Sequence, residues 1–172
     1  MNGAPRRLRW VGAVGLLLLL SSCATAADLT PGPQGRVGLI VRHSDGRVET
    51  ACVPFSGDVT GEDVLLQSGL EVRMDMANAL GSLVCSIDGE GCAFPEEACL
   101  CECDQPGACG YWAYFSWDAA RSSWIYNSLG ARARHLTDGD LDAWVWLEST
   151  GPEEVAAAMP EGITFEGVCR TE

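Results

Sequence analysis

The sequence predicts an α+β domain in which a small mixed sheet packs on one short helix and carries a long disulfide-stapled loop. Two β-branched runs flank Asp45-Gly46, a single capped helical segment follows Thr60, and five cysteines crowd between Cys92 and Cys109 behind an export signal. Strand signals outnumber helix signals, and a sheet with one helix buries its apolar face by packing against that helix.

The elements follow in order. In RVGLIVRHSDGRVETACVPF the Asp-Gly pair supplies the positive φ angles of a tight hairpin turn, so 36–55 reads as two paired strands. VTGEDVLLQSGLEV then offers Thr60 as N-cap, Glu62 and Asp63 in the first turn, apolar Val64, Leu65 and Leu66, and Gly69 as the stop. EVRMDMANALGSLVCSIDGEG reads as an extended segment, a strand near 82–87 and a Gly-rich turn. The Cys-rich stretch 88–110 is the long loop. Beyond it YWAYFSWD and SSWIYNSLG form an aromatic hairpin, and DGDLDAWVWL a turn with the last strand. The order is β-β-α-β, the stapled loop, then β-β-β.

Residues 1–22 have the layout of a secretory signal, with Arg6, Arg7 and Arg9 before an apolar run over 10–20 and small residues after it. That run is too short to span a bilayer comfortably. Leu20-Ser21-Ser22-Cys23 resembles the bacterial lipobox, which makes Cys23 the lipid-modified first residue of an extracytoplasmic, membrane-anchored chain. Ala24-Thr25-Ala26 fits an ordinary signal-peptidase site, whose use would secrete the protein. The lipobox is preferred because it follows the apolar core directly. Residues 23–35 are small, polar and punctuated by Pro and Gly, a flexible tether that leaves 36–172 as one domain.

Either cleavage route leaves Cys52, Cys85, Cys92, Cys99, Cys101, Cys103, Cys109 and Cys169 for pairing. An even set in an oxidising compartment predicts disulfides and argues against a reactive thiol. Cysteines one residue apart are awkward to bridge, so Cys99, Cys101 and Cys103 take separate partners. A Cys52–Cys169 bridge would tie the C-terminal tail to the first hairpin. The cluster lacks paired C-x-x-C knuckles, and no metal is assigned to it.

Charge and motif content exclude several classes. Without 1–22 the chain has 8 Arg, no Lys and 24 Asp and Glu, a formal charge of −16. Such a surface repels nucleic-acid phosphates and anionic headgroups. No G-x-S-x-G elbow is present, His43 and His135 read as a strand and a loop residue, and no catalytic residue or cofactor is assigned. Enzyme is the least favoured class. Asp138, Asp140 and Asp142 alternate, but a calcium loop would need Gly and Glu where Ala143 and Ser149 stand, so DGDLD reads as a tight turn.

The aromatic residues are the functional candidates. Period-two alternation sends Trp112 and Tyr114 to one face of their strand and Tyr111, Phe115 and Trp117 to the other. One face lines the core; the other packs beneath the Cys-rich loop or offers rings to a ligand. Tyr111, Trp112, Tyr114, Trp117 and Trp124 are the candidate ligand-binding set.

The helix TGEDVLLQSGLEV, the turn Ser86-Ile87-Asp88-Gly89, the strand with Tyr111, Trp112 and Tyr114, the segment Asp138-Gly139-Asp140 with Trp144, and the final ITFEGVC follow one another in a telling order. Together they resemble bacterial exported β-grasp domains similar to the C-terminal domain of transcobalamin, with the Cys-rich stretch as an insertion. The resemblance implies a β-grasp-like sheet and a non-enzymatic module that captures a cobalamin-type corrinoid and delivers it to a membrane transporter. The other expectation is a structural or protein-interaction lipoprotein of the cell envelope with no small-molecule ligand.

Overall fold

Residues 32–78, 82–99, 110–147, 156, 159 and 162–170 are described by the structure, a computed structural model. The signal segment 1–22, Cys23, the tether as far as 31, and Cys101, Cys103 and Cys109 lie outside the described residues.

Strands β1 (Gln34–Arg42) and β2 (Val48–Ser56) pair antiparallel from Gln34↔Ser56 to Arg42↔Val48. The connection of residues 43–47 contains Asp45-Gly46 as expected, but of the pair only Gly46 takes a positive φ, 86°, while Asp45 Oδ1 accepts from the Arg47 amide at 2.8 Å. β1 starts earlier than the composition suggested. Gln34 and Gly35, read as the end of the tether, are already in the sheet, where the Asp138 carboxylate accepts from the Arg36 amide at 2.7 Å.

Helix α1 (Gly61–Gln67) opens on a reciprocal capping box. Thr60 Oγ1 accepts from the Asp63 amide at 3.3 Å and Asp63 Oδ2 accepts from the Thr60 amide at 2.9 Å, satisfying two of the donors a helix start leaves unpaired. Val64 and Leu65 are fully buried while Leu66 faces solvent. Gly61 is required by a close approach: a Cβ there would lie 2.0 Å from the Tyr114 hydroxyl oxygen.

Strands β3 (Val72–Asp75), β4 (Leu83–Ile87) and β5 (Glu90–Gly91) form a separate antiparallel sheet in the order β3-β4-β5. The sequence order alone suggested one sheet. The second arises because Asp88 and Gly89, at φ 46° and 81°, make a two-residue turn that folds the chain back on β4. Two contacts bind the sheets together: Trp112 Nε1 donates to the Glu90 carbonyl at 3.1 Å, and His43 Nδ1 lies 2.6 Å from Glu90 Oε2.

Strands β6 (Tyr111–Asp118), β7 (Ser123–Tyr126) and β8 (Leu141–Leu147) complete the main sheet, whose order is β2-β1-β8-β6-β7. β8 inserts between β1 and β6, parallel to β1 from Gly38↔Leu141 to Arg42↔Val145 and antiparallel to β6 from Tyr111↔Leu147 to Ser116↔Asp142. An opening hairpin, a following helix and a last strand placed centrally and parallel to the first make an α+β, β-grasp-like arrangement.

Both faces of this sheet are buried. Leu39, Val41, Trp112, Tyr114 and Trp144 point into a core with Val64, Leu65, Val84 and Ile87 of α1 and the small sheet. Ile40, Ala113, Phe115, Ala143 and Val145 point the other way, onto Met159, Ile163 and Val168. The one-face-in expectation is therefore corrected, because the C-terminal segment covers the second face. That segment ends in a one-turn helix, α2 (Phe165–Val168), capped by Thr164 and fastened by the Cys52–Cys169 disulfide. A second disulfide joins Cys85 in β4 to Cys99, and Cys92 is also disulfide-bonded. The Cys52–Cys169 pairing is the one expected from the sequence, and Cys99 finds its partner outside the alternating triplet.

Gly61→Ala is expected to lower stability by about 1–3 kcal/mol, the usual cost of forcing atoms into a packed site, read as a drop in urea midpoint. The Cys52–Cys169 bridge closes a separation of 117 residues. Its removal by the double change to Ser is expected to cost about 4–5 kcal/mol in non-reducing buffer, a loss that chain-entropy arguments assign to so long a loop. Equal midpoints for wild type and the double variant would refute it.

Candidate functional site

The main sheet is incomplete along one strand. β7 has four residues and pairs with β6 only from Phe115↔Tyr126 to Asp118↔Ser123. The Asn127 amide still donates to the Tyr114 carbonyl at 2.9 Å, after which the chain turns off through 128–130 into a 3-10 turn, Ala131–Ala133. The first residues of β6 thus have β8 on one side and no strand partner from β7 on the other. β4 approaches this stretch without pairing to it.

The space left is a cavity of about 620 Å³. Its walls are β6 at Tyr111, Trp112 and Tyr114, β4 at Leu83 and Val84, the 126–132 segment, Met74 of β3, Glu62 of α1 and Trp144 of β8. Most of that lining is apolar or aromatic, the usual make-up of a small-molecule site, with a few polar groups converging on it.

Those polar groups are unusual in having no partners. Trp144 is 5% exposed, yet its Nε1, a donor only, has no acceptor among the described residues. Asn127 Nδ2 on the 126–132 segment and Ser82 Oγ beside β4 are also without partners among the described residues, and like Trp144 Nε1 they are sealed from solvent. Glu62 is 6% exposed, and no hydrogen bond or ion pair reaches its carboxylate from the described residues. An acid in the first turn of a helix gains about 0.3–1 kcal/mol from the backbone dipoles. The Glu62 oxygens are not among the buried unpartnered atoms, so its carboxylate keeps contact with solvent.

Beside the cavity lies a network that is satisfied. Asp142, fully buried, accepts from the Tyr114 hydroxyl and from Arg134 Nε at 3.1 Å, and Arg134 also reaches Asp140 at 3.5 Å. Burial pushes the Asp142 carboxyl up to about 6, against the opposing pull of Arg134. The Tyr114 phenol is pushed up by burial and then by the Asp142 charge. The Arg134 carbonyl accepts from the Gly61 amide at 3.1 Å, so the network holds both the Tyr114 wall and the start of α1.

The candidate aromatic set divides. Trp112 and Tyr114 line the cavity from the first face of the sheet and Tyr111 lies on its lining from the second face, where Trp117 and Trp124 stack edge to face with centroids 5.5 Å apart. No exposed row forms from the five, because Trp112, Tyr114 and Trp124 are all buried. The acids of DGDLD are engaged in the fold: Asp138 with Arg36, Asp140 with the Thr137 amide at 2.7 Å, and Asp142 in the buried network. His135 is exposed beside Asp58 at 2.9 Å, and His43 is buried against Glu90. Among the described residues no three His, Cys, Asp or Glu side chains converge as a metal site.

Glu62, Ser82, Asn127 and Trp144 were not among the candidate site residues. For Glu62 one signal was present: it stands three residues before Leu65, on the helix face that Leu65 buries.

No family model and no curated protein matches the chain. Among solved structures, a protein from Ruminococcus gnavus ATCC 29149 described as a "putative metal binding protein" is similar over 67% of this chain and 99% of that one, at 13% identity and a TM-score of 0.46.

The Asp142 network predicts a pH dependence of stability. An acid whose folded-state pKa is raised to about 6 binds its proton more tightly when folded, so its stabilising contribution is whole below the unfolded value and lost as pH rises through about 6. Relative to Asp142→Asn, the wild type should lose about 2 kcal/mol between pH 4 and pH 7 in urea titrations. A difference that stays flat across that range would count against the raised carboxyl.

Proposed function

We propose that this chain is an exported, lipid-anchored, non-enzymatic domain that captures a small ligand in the cavity between β4, β6 and the 126–132 segment. The observation that carries the reading is the cavity of about 620 Å³ at the uncovered edge of β6, lined mostly by aromatic and aliphatic side chains with Glu62 as the one carboxylate on the lining among the described residues. A concave, mostly apolar space with few polar groups is the usual form of a small-molecule site. The signal layout of 1–22 and the disulfides support an oxidising location outside the cytoplasm. Anchoring through Cys23 suits a protein that hands its cargo to a transporter in the same membrane.

The resemblance to transcobalamin's C-terminal domain makes a cobalamin-type corrinoid the first named ligand to try. A cavity of about 620 Å³ is in the range that encloses a drug-sized molecule, so a corrinoid would enter by one substituent with its ring left outside. The second reading is a protein-interaction lipoprotein. It is favoured by Leu129, 85% exposed, beside the exposed Ile125 and Tyr126 of the edge strand β7.

Titration with indole, followed by amide NMR, is expected to give saturable shifts at Ser82, Asn127 and Gly130. Cobalamin, followed by tryptophan quenching, is expected to bind at micromolar concentration if the corrinoid is the cargo. Saturable indole binding without cobalamin binding keeps the capture reading and removes the corrinoid. Neither binding, together with a specific cross-linked partner through β7 in intact cells, would establish the interaction reading instead.

A further inference from the structure

Resting on the reading of this cavity as a ligand site, we infer that its ligand is a short, extended, apolar peptide that adds as a strand to the bare edge of β6 at Trp112.

The cavity lies along the edge of this strand and not over one face. Tyr111, Trp112, Ala113 and Tyr114 all line it, although Trp112 and Tyr114 pack into the first core and Tyr111 and Ala113 into the second. Successive residues that point to opposite faces border one space along the backbone edge they share. β8 occupies the other edge from Tyr111↔Leu147 to Ser116↔Asp142, so the edge toward the cavity is the one that β7 leaves bare.

The backbone groups on that edge can be assigned. The Tyr114 carbonyl accepts from the Asn127 amide at 2.9 Å, so the polar groups of Tyr114 face the line of β7. Alternation then turns those of Ala113 toward β8 and those of Trp112 back toward the cavity. Among the described residues neither the Trp112 amide nor its carbonyl has a partner. A bare strand edge is a template for an extended chain, and a residue set opposite Trp112 in antiparallel alignment exchanges both bonds with it. The side chain of that residue falls on the Trp112 face, where Met74 and Val84 supply aliphatic surface.

Length and charge narrow the occupant. The bare stretch, 111–113, is about 10 Å long at about 3.4 Å per residue, room for about three residues. Asn127 stands in the same line opposite Tyr114, so a long strand cannot run through. The occupant is therefore a free oligopeptide and not a strand of a folded partner. Glu62 is the one carboxylate on the lining among the described residues, and the formal charge of −13 on the full sequence repels anions, which makes the peptide neutral or basic.

The probe is the N-acetyl tripeptide amide of Ala-Val-Ala. At saturation it is expected to slow hydrogen exchange of the Trp112 amide at least about tenfold, while indole leaves that amide unchanged. The Ala113 amide, which faces β8, is the internal control. Calorimetric titration of two ester analogues tests the geometry. An ester in place of the valine amide removes the N–H offered to the Trp112 carbonyl and is expected to weaken binding at least about fivefold. An ester at the alanine that follows, whose N–H points away from β6, should bind as the parent does. A nine-residue peptide with the same three residues at its centre should bind more weakly than the tripeptide. Tripeptide binding without protection of Trp112, or equal affinity of the two esters, would overturn strand addition. Tighter binding of the nine-residue peptide would assign the edge to a partner protein and overturn the free oligopeptide. Absence of tripeptide binding alongside saturable indole binding would remove the inference and leave the capture reading standing.

Discussion

β8 runs between β1 and β6, and the rest of the molecule depends on its being parallel to β1. A parallel pair cannot be closed by a hairpin, so the chain from the end of β1 to the start of β8 has to leave the sheet and return. Between β1 and β8 come β2 in the sheet, then an excursion through α1 and the small sheet, then the β6–β7 hairpin back in the main sheet. A strand at the centre of a sheet is also buried on both faces, which is why Leu141–Leu147 reads as apolar almost throughout, with Asp142 as its one acid. Asp142 is tolerated there because Arg134 and Tyr114 meet it.

The two faces are closed by different means. Over the first, α1 and the small sheet bring aliphatic side chains down onto Trp112, Tyr114 and Trp144. Over the second, the described residues of the C-terminal segment bring Ala156, Met159, Ile163 and Val168, and a disulfide joins Cys169 to Cys52 on the edge strand β2. A small domain with limited core relies on such bonds, and the oxidising location inferred from the N-terminal signal is what would permit them.

Local chemistry was legible in the sequence and non-local pairing was not. Asp45-Gly46, the Thr60–Asp63 cap and the stop at Gly69 were read correctly because each depends on backbone angles and hydrogen bonds within a few residues. The alternation of Trp112 and Tyr114 against Phe115 and Trp117 was right for the same reason. The second sheet was missed because whether β4 joins β6 or folds back onto β5 is a competition between distant edges. Of the site, Tyr111, Trp112 and Tyr114 were nominated from strand pattern, but whether the second face was covered or exposed stayed open, because its burial depends on residues near the C-terminus. Glu62 was passed over because an acid in a first helical turn has an ordinary explanation.

The brevity of β7 has a further consequence. The cavity wall between Asn127 and Gly130 belongs to neither buried face of the sheet, and β6 is secured by β8 whatever lies on its other side. Lengthening or shortening that connection would enlarge or fill the space without repacking Trp112, Tyr114 or Trp144. The scaffold therefore separates folding from cavity shape: one short surface connection sets the space beside β6, while the strands beneath it keep a single architecture.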